Sequence, residues 1–394
     1  MQHSKYSYYK ELAFSKGTPT AFIVDSPLQI LCAAEAIKEF EIEDYLLIIG
    51  IEPNDSRVVQ VMEMLRMMQL KYRTIEADNI AEIYLDLFAS KGIFQEKESI
   101  RYRRIMVGDY YALGQRALGV HYATEDSVIV YLDDGCATIA MLNGIMSNTE
   151  EPTDWGMKEV WRRTTYKPYM DKKKRIDHIF KQKGIYDNDF LFSLFHYTQN
   201  RKVCIYPNKF SNIHAIFDKP NGDNAVYIVG PSIKSRTNGL KPEIFEAIIW
   251  AKLVDVRKRY PNAEIVYIPH GRDTDEYVPL FCEMLTIKYK RLSCAIEYYF
   301  LTKGIRPFAI YGFLSSALWT LKKISPDTIV TNWLIDNHNA PGWRADERIT
   351  QYYENYGGIL TEKIPYPNQT NWKQIKHFVK WVVGWYHWQY VLKK

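Results

Sequence analysis

SVIVYLDDG, residues 127–135, is the stretch whose reading decides the fold. Val128, Ile129, Val130, Tyr131 and Leu132 form an unbroken apolar run, the pattern of a strand buried on both faces in a parallel sheet. Asp133 and Asp134 then stand at its carboxyl end, where open α/β sheets hold their ligands. Gly135 allows the backbone to turn sharply there. Taken alone, such a stretch is equally a plain strand–turn connection, so the rest of the chain must show whether a site is built around it.

Working outward, the same grammar recurs. AFIVD (21–25) is a short apolar strand followed by Ser26-Pro27-Leu28-Gln29, which opens a helix over 30–40. Ser26 is a good N-cap, Pro27 suits the first helical position and Gln29 completes a capping box. The N–H groups of that helix start are thus available to a ligand at the strand's end, although capping alone also accounts for these residues. YLLIIG (45–50) predicts a strand, 56–69 a helix, 72–76 and 105–108 strands, and 110–118 and 137–145 helices. Strand and helix alternate, as right-handed crossovers in a parallel sheet require.

After a turn-rich loop at 148–155, the basic residues Arg162, Arg163 and 172–175 (KKKR) read as a solvated face or as an attractor of an anionic acceptor or lipid surface. VCIY (203–206) closes the first domain, 1–207, and the Asn-, Asp-, Pro- and Gly-rich stretch 208–224 reads as a linker. The second domain, 225–367, repeats the alternation. Strands are expected at 225–229, 265–268, 308–311 and, last, 328–330, and helices at 241–260, 276–288, 298–303 and 317–323. The fold class is α/β and GT-B-like, with two doubly wound Rossmann-like domains facing a central cleft.

Composition narrows the function. A chain of 394 residues exceeds the size at which single cores usually split. The net charge of +5, from 51 basic and 46 acidic residues, argues for no nucleic-acid partner. The five cysteines are scattered, without a CxxC pair, and read as core residues rather than zinc ligands or disulfides. There is no GxGxxG and no GxxxxGK[ST], so neither a dinucleotide fingerprint nor a P-loop is present. No apolar run approaches the roughly 18 residues of a membrane span, and the start of the chain lacks a signal-peptide apolar core, so a cytoplasmic location is expected.

The second half offers an anion site at its strand ends. His270 follows IVYI (265–268) and stands beside Arg272, Ser315 and Ser316 open a helix, and Glu297 begins another. Each residue also has a plain structural reading, as a strand-end His, an N-cap or a first-turn acid. Together with Asp133-Asp134-Gly135, the order Pro269-His270 then Ser315-Ser316 resembles the D/E-D/E-G, His-Pro and Ser/Thr signature of bacterial sialyltransferases. The likeness is nearest to glycosyltransferase family 52 and the related bacterial polysialyltransferases. It extends to Ser26-Pro27-Leu28-Gln29 and to AIEYYFLTKGIRPFAIYGFLSSALWTLK (295–322). Two departures stand out. His270 is followed by Gly271 instead of Pro, and the region 230–234 (GPSIK) lacks the carboxylate that family 52 carries there.

The resemblance implies a CMP-activated nonulosonic acid as donor, sialic acid or a relative such as pseudaminic acid, and inverting transfer to a hydroxyl of a bacterial surface glycan or lipid-linked glycan. It implies Asp134, or else Asp133, as the base. CMP would be held by His270, Arg272, Glu297 on the ribose, Ser315, Ser316 and Gly312, with Ser26, Gln29 and Gly135 lining the acceptor side. No metal is required, because His270 and the serines meet the charge of a single phosphate, although paired carboxylates also suit Mg²⁺ beside a diphosphate. The alternatives are a GT-B enzyme using a UDP- or GDP-sugar, such as an epimerase, and a non-catalytic polysaccharide-assembly protein. The segment 368–394, with WKQIKHFVKWVVGWYHWQYVLKK at 372–394, reads as a helix crossing back onto the first domain or lying on an anionic membrane surface.

Overall fold

A computed structural model describes residues 2–51, 55, 57–76, 102–142, 167–182, 184–195, 203–216, 221–222, 225–231, 242–273, 275–336 and 343–365. The loop at 148–155, Arg162, Arg163, Ser232 and the segment 368–394 lie outside them. The chain divides into two units. The first holds Met1–Asp218 with Ser293–Thr302, and the second Lys219–Leu292 with Lys303–Lys394.

The first unit is one parallel sheet with helices between its strands. Its elements run α1 (Gln2–Phe14), β1 (Thr20–Val24), α2 (Pro27–Glu39), β2 (Tyr45–Ile51), α3 (Val58–Met68), β3 (Arg73–Glu76), β4 (Tyr102–Val107), α4 (Leu113–Tyr122), β5 (Ala123–Tyr131), α5 (Cys136–Leu142), α6 (Lys167–Gln182), β6 (Tyr186–Ser193), β7 (Cys204–Pro207) and α7 (Ser211–Ile216). The strand order is β3-β2-β1-β4-β5-β6-β7. Every pairing in it is parallel. The order reverses direction between β1 and β4, the switch point at which such sheets open a crevice at their carboxyl edge. Val128, Ile129 and Val130 are 0% exposed, as an apolar run covered on both faces demands.

Three features go beyond the sequence reading. The stretch 208–224 is no simple linker, because it contains α7, with Phe210 and Ile213 buried. The carboxylate of buried Glu35 in α2 accepts from the backbone N–H groups of Asn212 and Ile213 at 2.9 and 3.2 Å, so it anchors the start of α7. Polar letters concealed a packed element. The strand β6 was also not foreseen, since YDNDFLFS mixes charges with aromatics. Its Asp187 explains the mixture: it pairs at 2.7 Å with buried Arg116 of α4 and accepts from the Tyr131 hydroxyl at 2.9 Å. Finally, α1 is fastened by Arg104 of β4, which is fully buried. Arg104 donates to the carbonyls of Ala13, Ser15 and Thr18 and to the Thr20 hydroxyl, within 2.8–3.2 Å. The basic run 172–175 lies on α6, where Lys173 pairs with Asp177 at 2.6 Å.

The second unit repeats the plan. It runs β8 (Asn221–Gly222), β9 (Val226–Val229), α8 (Pro242–Arg259), β10 (Ile265–Ile268), α9 (Tyr277–Met284), β11 (Lys288–Tyr289), β12 (Ile305–Arg306), β13 (Ala309–Phe313), α11 (Ser316–Ile324), β14 (Ile329–Asp336), α12 (Trp343–Tyr352), a π-helical turn (Tyr353–Gly357) and β15 (Leu360–Pro365). The helix α10 (Ile296–Lys303) falls between β11 and β12 in sequence, but all of it except Lys303 groups with the first unit. The main sheet is ordered β11-β10-β9-β13-β14-β15. All its pairs are parallel, so the switch point lies between β9 and β13. A small β8–β12 pair stands apart. The core gathers Val226, Ile228, Phe245, Leu253, Tyr267 and Trp333. The strand expected at 328–330 extends to Asp336 and is not the last, because β15 adds to the edge. Both units are thus doubly wound and Rossmann-like, as the alternating pattern required.

Candidate functional site

In the first unit the carboxyl ends of β1, β4 and β5 each deliver an aspartate to the switch point: Asp25, Asp109 and Asp134. Asp133 and Asp134, adjacent in sequence, have opposite surroundings. Asp133 is fully buried, accepting from the Ser193 hydroxyl and, at 2.7 Å, from the Leu194 N–H. Burial pushes its carboxyl up to about 7 against the pull of those two donors. Both oxygens are taken by the last residue of β6 and the residue after it, so Asp133 is a structural anchor.

Asp134 is partly exposed. Its N–H donates to the Thr138 hydroxyl of α5 at 2.9 Å, and its Oδ1 accepts from Gln29 Nε2 at 2.6 Å. The Ser26 hydroxyl reaches the same oxygen at 3.5 Å. Oδ2 accepts no protein hydrogen bond among the described residues. Desolvation and then the neighbouring Asp109 carboxylate push Asp134 up to about 8, while the Gln29 amide and Arg57 pull the other way. Asp109 is itself raised to about 6, by burial first and by Asp25 second. Gly135 adopts φ +67°, the left-handed conformation that lets the chain leave the aspartate pair and enter α5.

Ser26 caps α2 as expected, accepting from the Gln29 N–H at 3.4 Å. The Gln29 side chain does not close a standard capping box. Its Oε1 accepts from the N–H of Asp25, one residue before the cap, at 2.8 Å. Gln29 is 3% exposed, so it is a buried bridge between β1 and Asp134 instead of a lining residue. Asp25, Asp109 and Gln115 were not singled out from the sequence. The signal for Asp25 and Asp109 was present, since each follows an apolar strand as Asp133 does. Gln115 carries no such mark, and only the fold brings it to Asp25, where its Nε2 donates to Oδ2 at 2.6 Å. Among the described residues no group of three His, Cys, Asp or Glu side chains is placed to hold a metal ion.

In the second unit His270 is exposed just past β10. Its Nδ1 accepts from the Arg272 N–H at 3.1 Å, and its carbonyl accepts from the Asp273 N–H at 2.9 Å. The first bond requires an unprotonated Nδ1, so the neutral ring carries its proton on Nε2. Arg272 is exposed beside it. Across the switch point, Ser315 caps α11, its Oγ accepting from the Ala317 N–H at 3.3 Å, and Ser316 is the first helical residue. The turn into this helix is strained at Leu314, with φ +24°, and is held by Asn332, whose Oδ1 accepts the Leu314 N–H at 2.9 Å. The strand order therefore places His270 and the two serines on either side of the end of β9.

Two expected donor-site residues do otherwise. Gly312 is buried inside β13. A Cβ there would lie 2.8 Å from the Val229 carbonyl and 3.2 Å from Leu318, so close strand–helix packing, not a ligand, accounts for the glycine. Glu297 is 4% exposed, and its helix groups with the first unit instead of with the sheet that carries His270.

No family model matches the chain. No curated protein matches it either. Among solved structures it is similar to an α/β-galactoside α-2,3-sialyltransferase from the luminous marine bacterium Photobacterium phosphoreum. That likeness has 12% identity over 88% of this chain and 99% of that one, at a TM-score of 0.49. It is similar also to S. aureus MnaA in a structure with UDP, with 12% identity over 89% and 100% of the two chains and a TM-score of 0.43. The MurG of Acinetobacter baumannii shares 8% identity over 88% and 85%, at a TM-score of 0.40. Likenesses at this level assign neither donor nor acceptor, and the function rests on the site itself.

Proposed function

We propose that the chain is an inverting, metal-independent glycosyltransferase that moves a nonulosonic acid from its CMP donor to a hydroxyl of a bacterial surface glycan. The observation that carries this reading is Asp134. It is a carboxylate at the switch point of a parallel sheet, with one oxygen held, the other open, and its affinity for protons raised to about 8. A general base works best when its pKa lies near the working pH, and an ordinary aspartate near 4 falls well short of that.

The remaining roles follow from the reaction. Asp134 Oδ2 takes the proton of the acceptor hydroxyl as that oxygen attacks the anomeric carbon from the face opposite CMP. The anomeric C–O bond to the phosphate breaks, and its electron pair leaves on the phosphate oxygen. His270 Nε2–H donates a hydrogen bond to that oxygen, and the Ser315 and Ser316 hydroxyls and the Ser316 N–H at the start of α11, with Arg272, receive the rest of the charge. One displacement inverts the centre. A monophosphate leaving group carries less charge than a diphosphate, and these side chains supply its counter-charge without a cation.

Incubation with CMP-sialic acid and with CMP-pseudaminic acid, each with a glycan acceptor, tests the reading by release of CMP. Release from either donor, undiminished in EDTA, supports it. Turnover of UDP- or GDP-sugars alone, or a strict metal requirement, overturns it.

A further inference from the structure

Gln29 and Gln115 are 3% and 2% exposed, and both lie beside the three aspartates of the first unit. The two ends of a carboxamide have the same shape, so its neighbours decide which end is oxygen. For Gln29 that decision is forced. One end meets the Asp25 N–H at 2.8 Å and Gln115 Nε2 at 3.3 Å, both donors, and must be the carbonyl oxygen. Gln115 is fixed in the same way, because its own oxygen accepts the Asp109 N–H at 2.9 Å and its nitrogen donates to Asp25 Oδ2. Asp25 Oδ1 is taken by the Gly50 N–H at 3.1 Å. Backbone N–H groups just after β1 and β4 thereby orient the two side-chain amides, a third in β2 holds the Asp25 carboxylate, and the nitrogen of Gln29 has Asp134 Oδ1 as its acceptor at 2.6 Å.

We propose that Gln29, locked by Gln115, is a positioning residue for the base: it holds Asp134 Oδ1 so that Oδ2 is the oxygen offered to the acceptor hydroxyl. The proposal rests on the reading of Asp134 as the base. Three observations support a task beyond capping. The cap bond of α2 uses the Gln29 backbone N–H, so it does not require the amide. The strand end opposite is a glycine, Gly108, where a Cβ would collide with Gln29 Oε1; the site reserves room for this side chain. Asp134 is also tethered through its own N–H to Thr138, so the aspartate's backbone and one oxygen are fixed together. The charged groups around it are Asp109 and Asp25, which disfavour its ionised form, and Arg57, which favours it; the Gln29 amide adds the direct hydrogen bond.

The test is the pH profile of kcat/KM for transfer, with three variants. Gln29→Glu keeps the shape, removes the donor and adds a like charge. Its acid limb is expected to move up by at least about one pH unit, with roughly tenfold lower kcat/KM at pH 7 and an unchanged KM for the CMP donor. Gly108→Ala, which displaces the amide without altering it, is expected to move the limb in the same direction. Asp134→Asn is the control. If it retains transfer, the base reading itself fails. If Asp134→Asn abolishes transfer while Gln29→Glu and Gly108→Ala keep the wild-type profile, positioning by Gln29 is overturned and the base reading stands. A second readout needs no activity: the carbon-13 titration of the Asp134 carboxyl, followed in Gln115→Met, is expected to rise above its wild-type midpoint. An unchanged midpoint overturns the lock.

Discussion

Gln29 Nε2 lies 2.6 Å from Asp134 Oδ1, so the first turn of α2 is tied directly to the end of β5. This bond crosses β1 and β4 at the point where the sheet reverses its order. Two aspartates that are neighbours in the chain are thus held differently: Asp134 by Gln29 at the switch point, and Asp133 by Ser193 and Leu194 at the end of β6.

Replacing Asp134 or His270 by alanine is expected to lower turnover by about 10²–10⁴-fold, the range for loss of a general acid or base. His270 is exposed, so His270→Ala should melt close to wild type, whereas Asp134→Ala leaves the buried Gln29 Nε2 without its acceptor and is expected to cost about 1–3 kcal/mol; far-UV circular dichroism should be unchanged in both. CMP release in a coupled assay checks the first point. Wild-type-like transfer by either variant removes that residue from the mechanism.

Asp109 raises the Asp134 pKa by like-charge repulsion. Asp109→Asn removes the charge and leaves an oxygen that can accept the Tyr111 N–H, which Asp109 Oδ1 takes at 2.8 Å. The acid limb of kcat/KM should therefore shift to lower pH, opposite to the shift of Gln29→Glu. A pH–rate series on the purified variant reads the sign directly.

Asp133 predicts a stability effect instead. Asp133→Ala leaves the buried Leu194 N–H unpaired and is expected to cost about 1–3 kcal/mol in urea unfolding. The folded chain keeps the Asp133 proton up to about pH 7, whereas the unfolded chain releases it near 4. The folded state therefore binds more protons in that window, and this group's contribution to stability falls as pH rises from about 4 to about 7. Asp133→Asn imitates the protonated acid, so the difference in its melting temperature between pH 5 and pH 8 should be smaller than in the wild type.

Asn332→Leu removes the acceptor of the strained Leu314 N–H and the donor to the Thr350 hydroxyl, which Asn332 Nδ2 meets at 3.3 Å. The expected result is a loss of about 1–3 kcal/mol of stability together with a higher KM for the CMP donor, through a loosened start of α11. The pH limb set by Asp134 should not move, because the two belong to different sheets. Steady-state kinetics across donor concentration separates these effects.

The apolar runs at 21–24, 105–107, 128–132, 226–229 and 265–268 were legible because a strand covered on both faces leaves no polar position to hide it. Elements covered by side-chain pairing were not. The strand β6 carries Asp187 for Arg116, and α7 is anchored by Glu35, so both read as polar until their partners are brought together. Helix α10 was assigned by sequence order to the second domain, whereas its contacts group it with the first unit.

By itself the sequence determined the alternation of strands and helices, the two-sheet plan, and the candidate residues at strand ends, because hydrophobic period and capping chemistry are local properties. It could not distinguish Asp133 from Asp134. Consecutive side chains at a strand's end point to opposite sides, and which side meets a buried hydroxyl and which meets an oriented amide depends on neighbours 60 residues later and 105 residues earlier. Only the tertiary structure decided that both oxygens of Asp133 are bonded to Ser193 and Leu194, while Asp134 has one oxygen held by Gln29 and the other without a hydrogen bond among the described residues.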